Sequence, residues 1–164
     1  MPWEAFTEIA ELDANKDLYC VATWGSLSAM AVPSFMLNSP GKAQLQQLPR
    51  GQCVGVSMSV RAAWPFNCVI ETLTVWHDRK HSTAFYRSDA HRRGMEALRG
   101  RIEFRAHRVW VKAADLPHPG DVSGTQALWD AVKRGEHRAV TADSEGGGNG
   151  GSAAAVCPAR GVTG

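Results

Sequence analysis

His91 is the side chain of this 164-residue sequence that is best placed for proton chemistry. Phe85, Met95 and Leu98 recur around it at roughly helical spacing, which places the imidazole near the inward face of one helix. A histidine in that position could act as a general base, a proton shuttle or a ligand. The alternative is a structural histidine that hydrogen-bonds a backbone carbonyl or a helix cap.

Three tryptophans offer large flat surfaces on three different predicted strands: Trp24, Trp76 and Trp110. If they share a face with Phe85 and Met95, these five side chains would line a cavity for a flat, aromatic substrate. Packing in the core or at a subunit interface is the other common use of tryptophans in strands, and the sequence leaves both open.

Two further clusters carry reactive side chains in patterns that we interpret as structural. His77 and His81 flank Asp78 in a turn, but no third ligand is near in sequence, so we predict no metal site. Seven arginines between positions 87 and 108 alternate with acidic residues, which is typical of a solvated helix face and not of a nucleic-acid site. The 4 cysteines form no CxxC pair, and we expect neither zinc nor a disulfide.

Four segments that could position these side chains have the composition and alternation of β-strands. The second and third are separated by a short turn and should form an antiparallel hairpin. They are Leu18–Leu27, Val54–Arg61, Cys68–Trp76 and Glu103–Lys112.

Two helical regions fall between the strands. Prolines break the first into pieces near Ser34–Asn38 and Pro40–Leu48. The second should begin at Asp78 as N-cap, be recapped or kinked at Ser88, and end at Gly100. The resulting order, β-α-β-β-α-β, is the ferredoxin-like arrangement of an α+β domain.

Two helices on one face of a four-stranded sheet leave the other face bare. A second copy of the same sheet is the simplest cover, so we predict a homodimer through the open sheet face, in the form of a dimeric α/β barrel. A short helix with Ser123 or Thr125 as cap, and a Gly/Ala/Ser-rich tail that we expect to be flexible, follow the domain. The predicted divisions are 1–17 (N-terminal extension), 18–116 (domain), 117–138 (appendix) and 139–164 (tail).

Charge and hydropathy exclude several classes of function. A formal net charge of +2 is too small to indicate nucleic acid or an anionic membrane as partner. The sequence has no apolar run of about 18 residues, so we expect no membrane span. Acidic residues precede the first lysine, which argues against a secretory or transit peptide and favours a cytoplasmic protein.

The segment around the third strand and second helical region resembles the antibiotic-biosynthesis-monooxygenase type of dimeric α/β barrel. Such proteins show a strand that ends in tryptophan, a polar turn, and a helix reading Phe-x-x-Ser-x-x-His, as do Trp76, Phe85, Ser88 and His91 here. The resemblance extends roughly over 18–116. It implies the fold and the dimer, and a superfamily that includes cofactor-free oxygenases, haem-degrading enzymes and uncharacterised members.

The haem-degrading branch of that superfamily uses a strand asparagine, a helix tryptophan and a histidine that binds iron. By the resemblance these positions fall near Thr23 or Trp24, at Phe85 and at Met95, and none of them matches. His91 lies one turn before the ligand position.

From the resemblance and the residues together, we expect a monooxygenase-like enzyme that acts on a small hydrophobic or aromatic molecule without metal or cofactor. His91 would be the base, with Trp24, Trp76, Phe85, Met95 and Trp110 as substrate contacts. The alternatives are a non-catalytic ligand-binding or protein-interaction module on the same fold, and a haem-binding or haem-degrading variant.

Overall fold

The computed structural model describes residues 2–28, 30, 32–33, 45, 48, 51–63, 67–100 and 102–139. Within these ranges the strands are β1 (Glu4–Ala5), β2 (Asp17–Ser28), β3 (Cys53–Ala63), β4 (Asn67–Trp76), β5 (Ile102–Lys112) and β6 (Arg138–Ala139). The helices are α1 (Arg79–Arg87), α2 (Asp89–Ala97) and α3 (Val122–Arg134), with short 3-10 turns at Ile9–Glu11 and Ala113–Asp115. No helix in the described ranges is long and apolar enough to cross a membrane.

The strands form one antiparallel sheet in the order β1-β3-β4-β2-β5-β6. β2 is central and pairs with β4 on one side and with β5 on the other along almost its whole length. This order of the four long strands, with α1 and α2 between β4 and β5, confirms the predicted ferredoxin-like fold. The predicted helical pieces Ser34–Asn38 and Pro40–Leu48 lie outside the described residues, except for Leu45 and Leu48.

One face of the sheet, here called the α1/α2 face, packs against the first two helices. Tyr19 and Val21 of β2 and Trp76 of β4 are buried there against Phe85. Farther along the same face, Leu98 follows α2 and packs on the buried side chains of Leu27 and Ile70. Alternate side chains of a strand point to opposite faces, so the intervening residues of β2 and β4 belong to the other face.

The predicted caps Asp78 and Ser88 of the helical region are confirmed, but the predicted end at Gly100 is wrong, because Leu98 is the C-cap of α2. The Asp78 carboxylate accepts a hydrogen bond from the Lys80 amide at 2.7 Å, at the start of α1. Ser88 separates the two helices: its amide donates to the Phe85 carbonyl, and its hydroxyl accepts from the His91 amide at 3.3 Å. α2 ends at Ala97, and Gly100 follows with a φ of 77° in the left-handed region.

The opposite face, here called the α3 face, is not bare, contrary to the sequence expectation. Leu128, Trp129 and Val132 of α3 are buried against Leu18 and Cys20 of β2. The reason is that β2 carries apolar side chains on both faces. Tyr19 and Val21 lie on the α1/α2 face, whereas Leu18 and Cys20 lie on this one and have no exposed surface. The chain uses its own C-terminal helix to cover that end of the sheet.

The cap of α3 also differs from the two predicted candidates. Asp121 begins the helix, and its carboxylate accepts from the Gly124 amide at 2.9 Å. A Cβ at Gly124 would meet this carboxylate, so a larger residue there would displace the Asp121 cap. Ser123 and Thr125 lie inside the helix.

The N-terminal segment packs on the α3 face beside the same helix. Trp3 is buried in the cluster that contains Trp129, and its ring lies where a Cβ of Gly55 would be. The Trp3 carbonyl accepts from the Gly120 amide at 2.8 Å, which joins the two terminal segments. The described parts of segments 1–17 and 117–138 are therefore anchored on the sheet, through Trp3 and α3.

The part of the α3 face beyond the helix is polar. Ser26, Arg61 and Arg105 are exposed there. Glu71 is buried, and its carboxylate pairs with the Arg61 guanidinium at 2.8 Å. Any partner on this surface must therefore accommodate charged groups.

The edge of the sheet next to β5 carries β6, in which Ala139 pairs with Val109 and Arg138 with Trp110. Ala139, the first residue of the predicted tail, belongs to this strand. The rest of the predicted tail, 140–164, lies outside the described residues.

Replacing Trp129 by alanine should lower the free energy of unfolding by about 3–5 kcal/mol, the usual cost of removing a fully buried indole. Urea unfolding measures the difference. Val122→Ala is the matched control, because Val122 lies on the same helix with 51% of its surface exposed. A loss below about 1 kcal/mol for Trp129→Ala would show that α3 does not dock on the sheet as described.

Candidate functional site: a cavity between the sheet and the first two helices

A cavity of about 370 Å³ lies between the α1/α2 face of the sheet and the two helices. Five strands provide its floor, and residues 85–98 provide the wall above them. Most lining side chains are apolar, with a few hydroxyl and charged groups among them, as is usual for small-molecule sites.

The first row of the floor runs straight across the sheet. Strand pairing places Glu4, Val56, Thr74, Val21 and Arg108 side by side on β1, β3, β4, β2 and β5. At about 4.8 Å per strand, the two charged ends are roughly 19 Å apart. The row therefore has an acidic group on the edge strand β1 and a basic group on β5, the outermost long strand on the other side.

The second row lies in the middle of the floor and has small side chains. Thr72 of β4 and Thr23 of β2 are direct cross-strand partners, with Met58 and Ala106 on either side. Within the described part of the chain, the Thr72 hydroxyl has no recorded hydrogen bond. Short side chains leave room above the sheet, and this row forms the polar centre of the cavity floor.

The third row closes the cavity on the side of Leu98. Ile70 pairs with Gly25, and Gly25 pairs with Phe104. A Cβ on Gly25 would clash with the Phe104 ring and the Glu103 carbonyl. Glycine at this position therefore allows the Phe104 ring to lean across β2 and form the wall.

The wall above the floor is built around the break between α1 and α2. Phe85 and Tyr86 come from the last turn of α1, and His91 comes from the first turn of α2. The His91 ring centroid is 5.2 Å from that of Phe85 and 4.9 Å from that of Tyr86, edge-on to the latter. Because Ser88 turns the chain between the helices, the three rings form one cluster at the cavity.

His91 combines burial with an unused hydrogen-bonding atom. In the described part of the chain its Nδ1 atom is buried and has no hydrogen-bond partner. Burial lowers the pKa of the His91 imidazole below its usual value, so the ring is neutral at pH 7. A neutral imidazole with a free nitrogen can accept a proton from a bound molecule.

Tyr86 is the second polar group of the wall. Its hydroxyl is 3.5 Å from Thr74 Oγ1, which accepts a hydrogen bond from Trp76 Nε1 at 3.0 Å. Burial raises the pKa of Tyr86, while hydrogen bonds with Thr74 and Thr23 and the charge of Arg108 lower it to a smaller extent. Tyr86 therefore stays protonated and can donate to a ligand.

The structure brings together three of the six predicted site residues: Phe85, His91 and Met95 all line the cavity. The two tryptophans of this face lie outside the lining. Trp76 is fully buried with its ring centroid 5.3 Å from that of Phe85, and Trp110 packs edge-on against Tyr19.

Trp24 lies on the α3 face, on the other side of the sheet. Its ring centroid is 6.0 Å from that of Trp129 and 4.9 Å from that of His107. The three strand tryptophans therefore do not share one face, which was the condition for their lining a single cavity.

Sequence reasoning missed Tyr86, Thr23, Thr72 and Arg108 as lining residues. The alternation in β4 did indicate that Thr72 and Thr74 share a face, but it could not show which face contains a cavity. Arg108 was counted with the arginines of a solvated helix face, although it lies on a strand.

Several other titratable groups with shifted pKa values lie outside the cavity lining. Lys16 Nζ lies 3.1 Å from His77 Nδ1, and burial, followed by the charges of Lys16 and His81, lowers the pKa of His77. Among the described residues no cluster of three or more His, Cys, Asp or Glu side chains could hold a metal ion. Burial raises the pKa of Cys20 and Cys53 to about 12, so both are unreactive thiols.

The burial of His91 predicts a loss of stability in acid. In the folded state burial lowers the pKa of the imidazole below 6.5, its value in the unfolded chain. The unfolded chain therefore binds more protons, and the free energy of unfolding falls as pH drops. The contribution of the neutral ring to stability is complete above pH 6.5 and is lost as pH falls through the folded pKa. His91→Gln should make urea unfolding less dependent on pH over this range, and an unchanged dependence would contradict the burial of the ring.

Comparison with known proteins gives likeness to solved structures only. No protein-family model and no curated protein matches the sequence. An anthrone oxidase-like protein is 15% identical, with a TM-score of 0.42 over 68% of this chain and 51% of that one. A Nitrosomonas europaea protein provisionally named an antibiotic biosynthesis monooxygenase is 9% identical, with a TM-score of 0.43 over 67% of this chain and 98% of that one.

Proposed function

We propose that this chain is a small monooxygenase-like enzyme that oxygenates a flat, largely apolar molecule in the cavity, using the substrate's own carbanion. The observation that carries the proposal is His91, a neutral imidazole at the wall of a mostly apolar cavity, whose buried Nδ1 atom has no hydrogen-bond partner among the described residues. Phe85 and Met95 provide apolar contact for the substrate on the same wall.

The reaction would begin with proton transfer. His91 Nδ1 takes a proton from an acidic phenol or enol, and the resulting anion is delocalised onto carbon. The carbanion gives one electron to dioxygen, and the substrate radical and superoxide combine to form a carbon–oxygen bond. The peroxide anion then takes the proton back from the imidazolium.

Loss of water from the hydroperoxide completes the oxidation. At a reacting CH₂ group the sum is CH₂ + O₂ → C=O + H₂O, so dioxygen takes up all four electrons that the substrate loses. Apolar side chains around the reacting carbon would keep bulk water away from the anion.

Anthrone is a suitable probe, because its CH₂ group lies between two aromatic rings and its enol form is acidic. Oxygen consumption with anthrone should fall by about two to four orders of magnitude in His91→Gln, the usual range for a general base. His107→Gln is the matched control, since His107 is exposed on the α3 face of the sheet.

Thermal unfolding of the same variants separates catalysis from folding. His91→Gln should remain folded at the assay temperature while turnover is lost. A variant that melts early but keeps full turnover in the cold would exclude the catalytic role. Anthrone that binds to the unaltered protein without oxygen consumption would favour the ligand-binding alternative.

We further propose a homodimer through the part of the α3 face that α3 leaves uncovered. Val69 is half-buried there and would gain contact with a second copy, and so would the half-buried Trp24 at the border of this part, beside Trp129 of α3. Sedimentation velocity at micromolar concentration should give a mass of about twice 17.8 kDa. A single, well-folded monomeric species would exclude this interface.

A further inference from the structure

We infer that the cavity, used as in the proposed function, takes an anionic ligand: a flat apolar body that carries a carboxylate, held by Arg108 at one end of the first floor row. The position of positive charge along the cavity favours this class of substrate.

Arg108 is the cationic end of the row. Its side chain lines the cavity from β5 and is exposed, and in the described part of the chain no ion pair is recorded for it. The planar guanidinium can hold both oxygens of a carboxylate at once, which a point charge such as an ammonium cannot do.

Among the described lining residues Arg108 carries the positive charge, since the His91 imidazole is neutral at pH 7 and Tyr86 stays protonated. An anionic group is therefore favoured at the Arg108 end of the row, which fixes the direction in which a ligand lies.

The field of Arg108 reaches the inside of the cavity. Its charge lowers the pKa of both Tyr86 and Tyr19, although burial raises each of them more. The same charge would stabilise an anion lying between Arg108 and the helix wall.

The floor next to Arg108 fits a flat body. Ala106 and Thr23 of the second row are small, and the Phe104 ring and Leu98 close the far side. A ligand whose carboxylate meets Arg108 would lie over the two threonines and bring its ring system below His91 and Tyr86.

The test compares 2-naphthoate with the neutral 2-naphthamide, which has the same ring system, by calorimetric titration at pH 7 and low salt. The naphthoate should bind about five- to thirtyfold more tightly, the range expected for one charge-assisted pair at a partly exposed site. The ratio of the affinities of the two probes should become smaller as ionic strength rises.

Arg108→Gln should remove this preference, and Arg108→Lys should keep part of it. Arg105→Gln is the matched control, because Arg105 lies on the same strand with its side chain on the opposite face. The inference is overturned if neither probe binds, if both bind equally to the unaltered protein, or if Arg108→Gln still prefers the naphthoate.

These results are separable from the test of the oxygenase reaction. Anthrone has no carboxylate, so its His91-dependent oxidation can stand when the naphthoate preference fails. Conversely, a naphthoate preference that depends on Arg108 can hold in a protein that never consumes oxygen.

Discussion

The apolar character of the central strand on both of its faces is the constraint on which the rest of the structure depends. β2 pairs with a neighbour on each side and buries Val21 on one face and Leu18 and Cys20 on the other. Because both faces carry apolar side chains that are unfavourable in water, the sheet needs a covering layer on each side. α1 and α2 supply one layer, and α3 with Trp3 supplies part of the second.

The cavity exists where this layered packing is incomplete. Large side chains fill the α1/α2 face near Trp76, but the next rows present Thr74, then Thr72 and Thr23, and the helix above them buries Gly94. Small groups on both sides of the layer leave space that no side chain fills. The hydroxyls in this space would be costly in a closed core, and they are suited to contact with a ligand.

The sequence predicted the elements well and their tertiary contacts less well. Strand alternation and the caps at Asp78 and Ser88 are local signals, so they located β4, α1 and α2 closely. The docking of α3 depends on contacts with distant residues such as Leu18, which periodicity cannot reveal. For the same reason Phe85 and His91 could be assigned to an inward face, while the position of Trp24 on the opposite side of the sheet could not be predicted from its residue type.

The double role of Ser88 determines how the cavity can respond to what enters it. A continuous helix across this position could tilt only as one rod, and any widening at one end would narrow the other. Ser88 already interrupts the ladder of backbone hydrogen bonds, with an extended backbone at φ −60° and ψ 147°. The angle between the two helices, and with it the height of the cavity wall above the strands, is therefore set by the backbone torsions of one residue, which is hydrogen-bonded to the helix on either side.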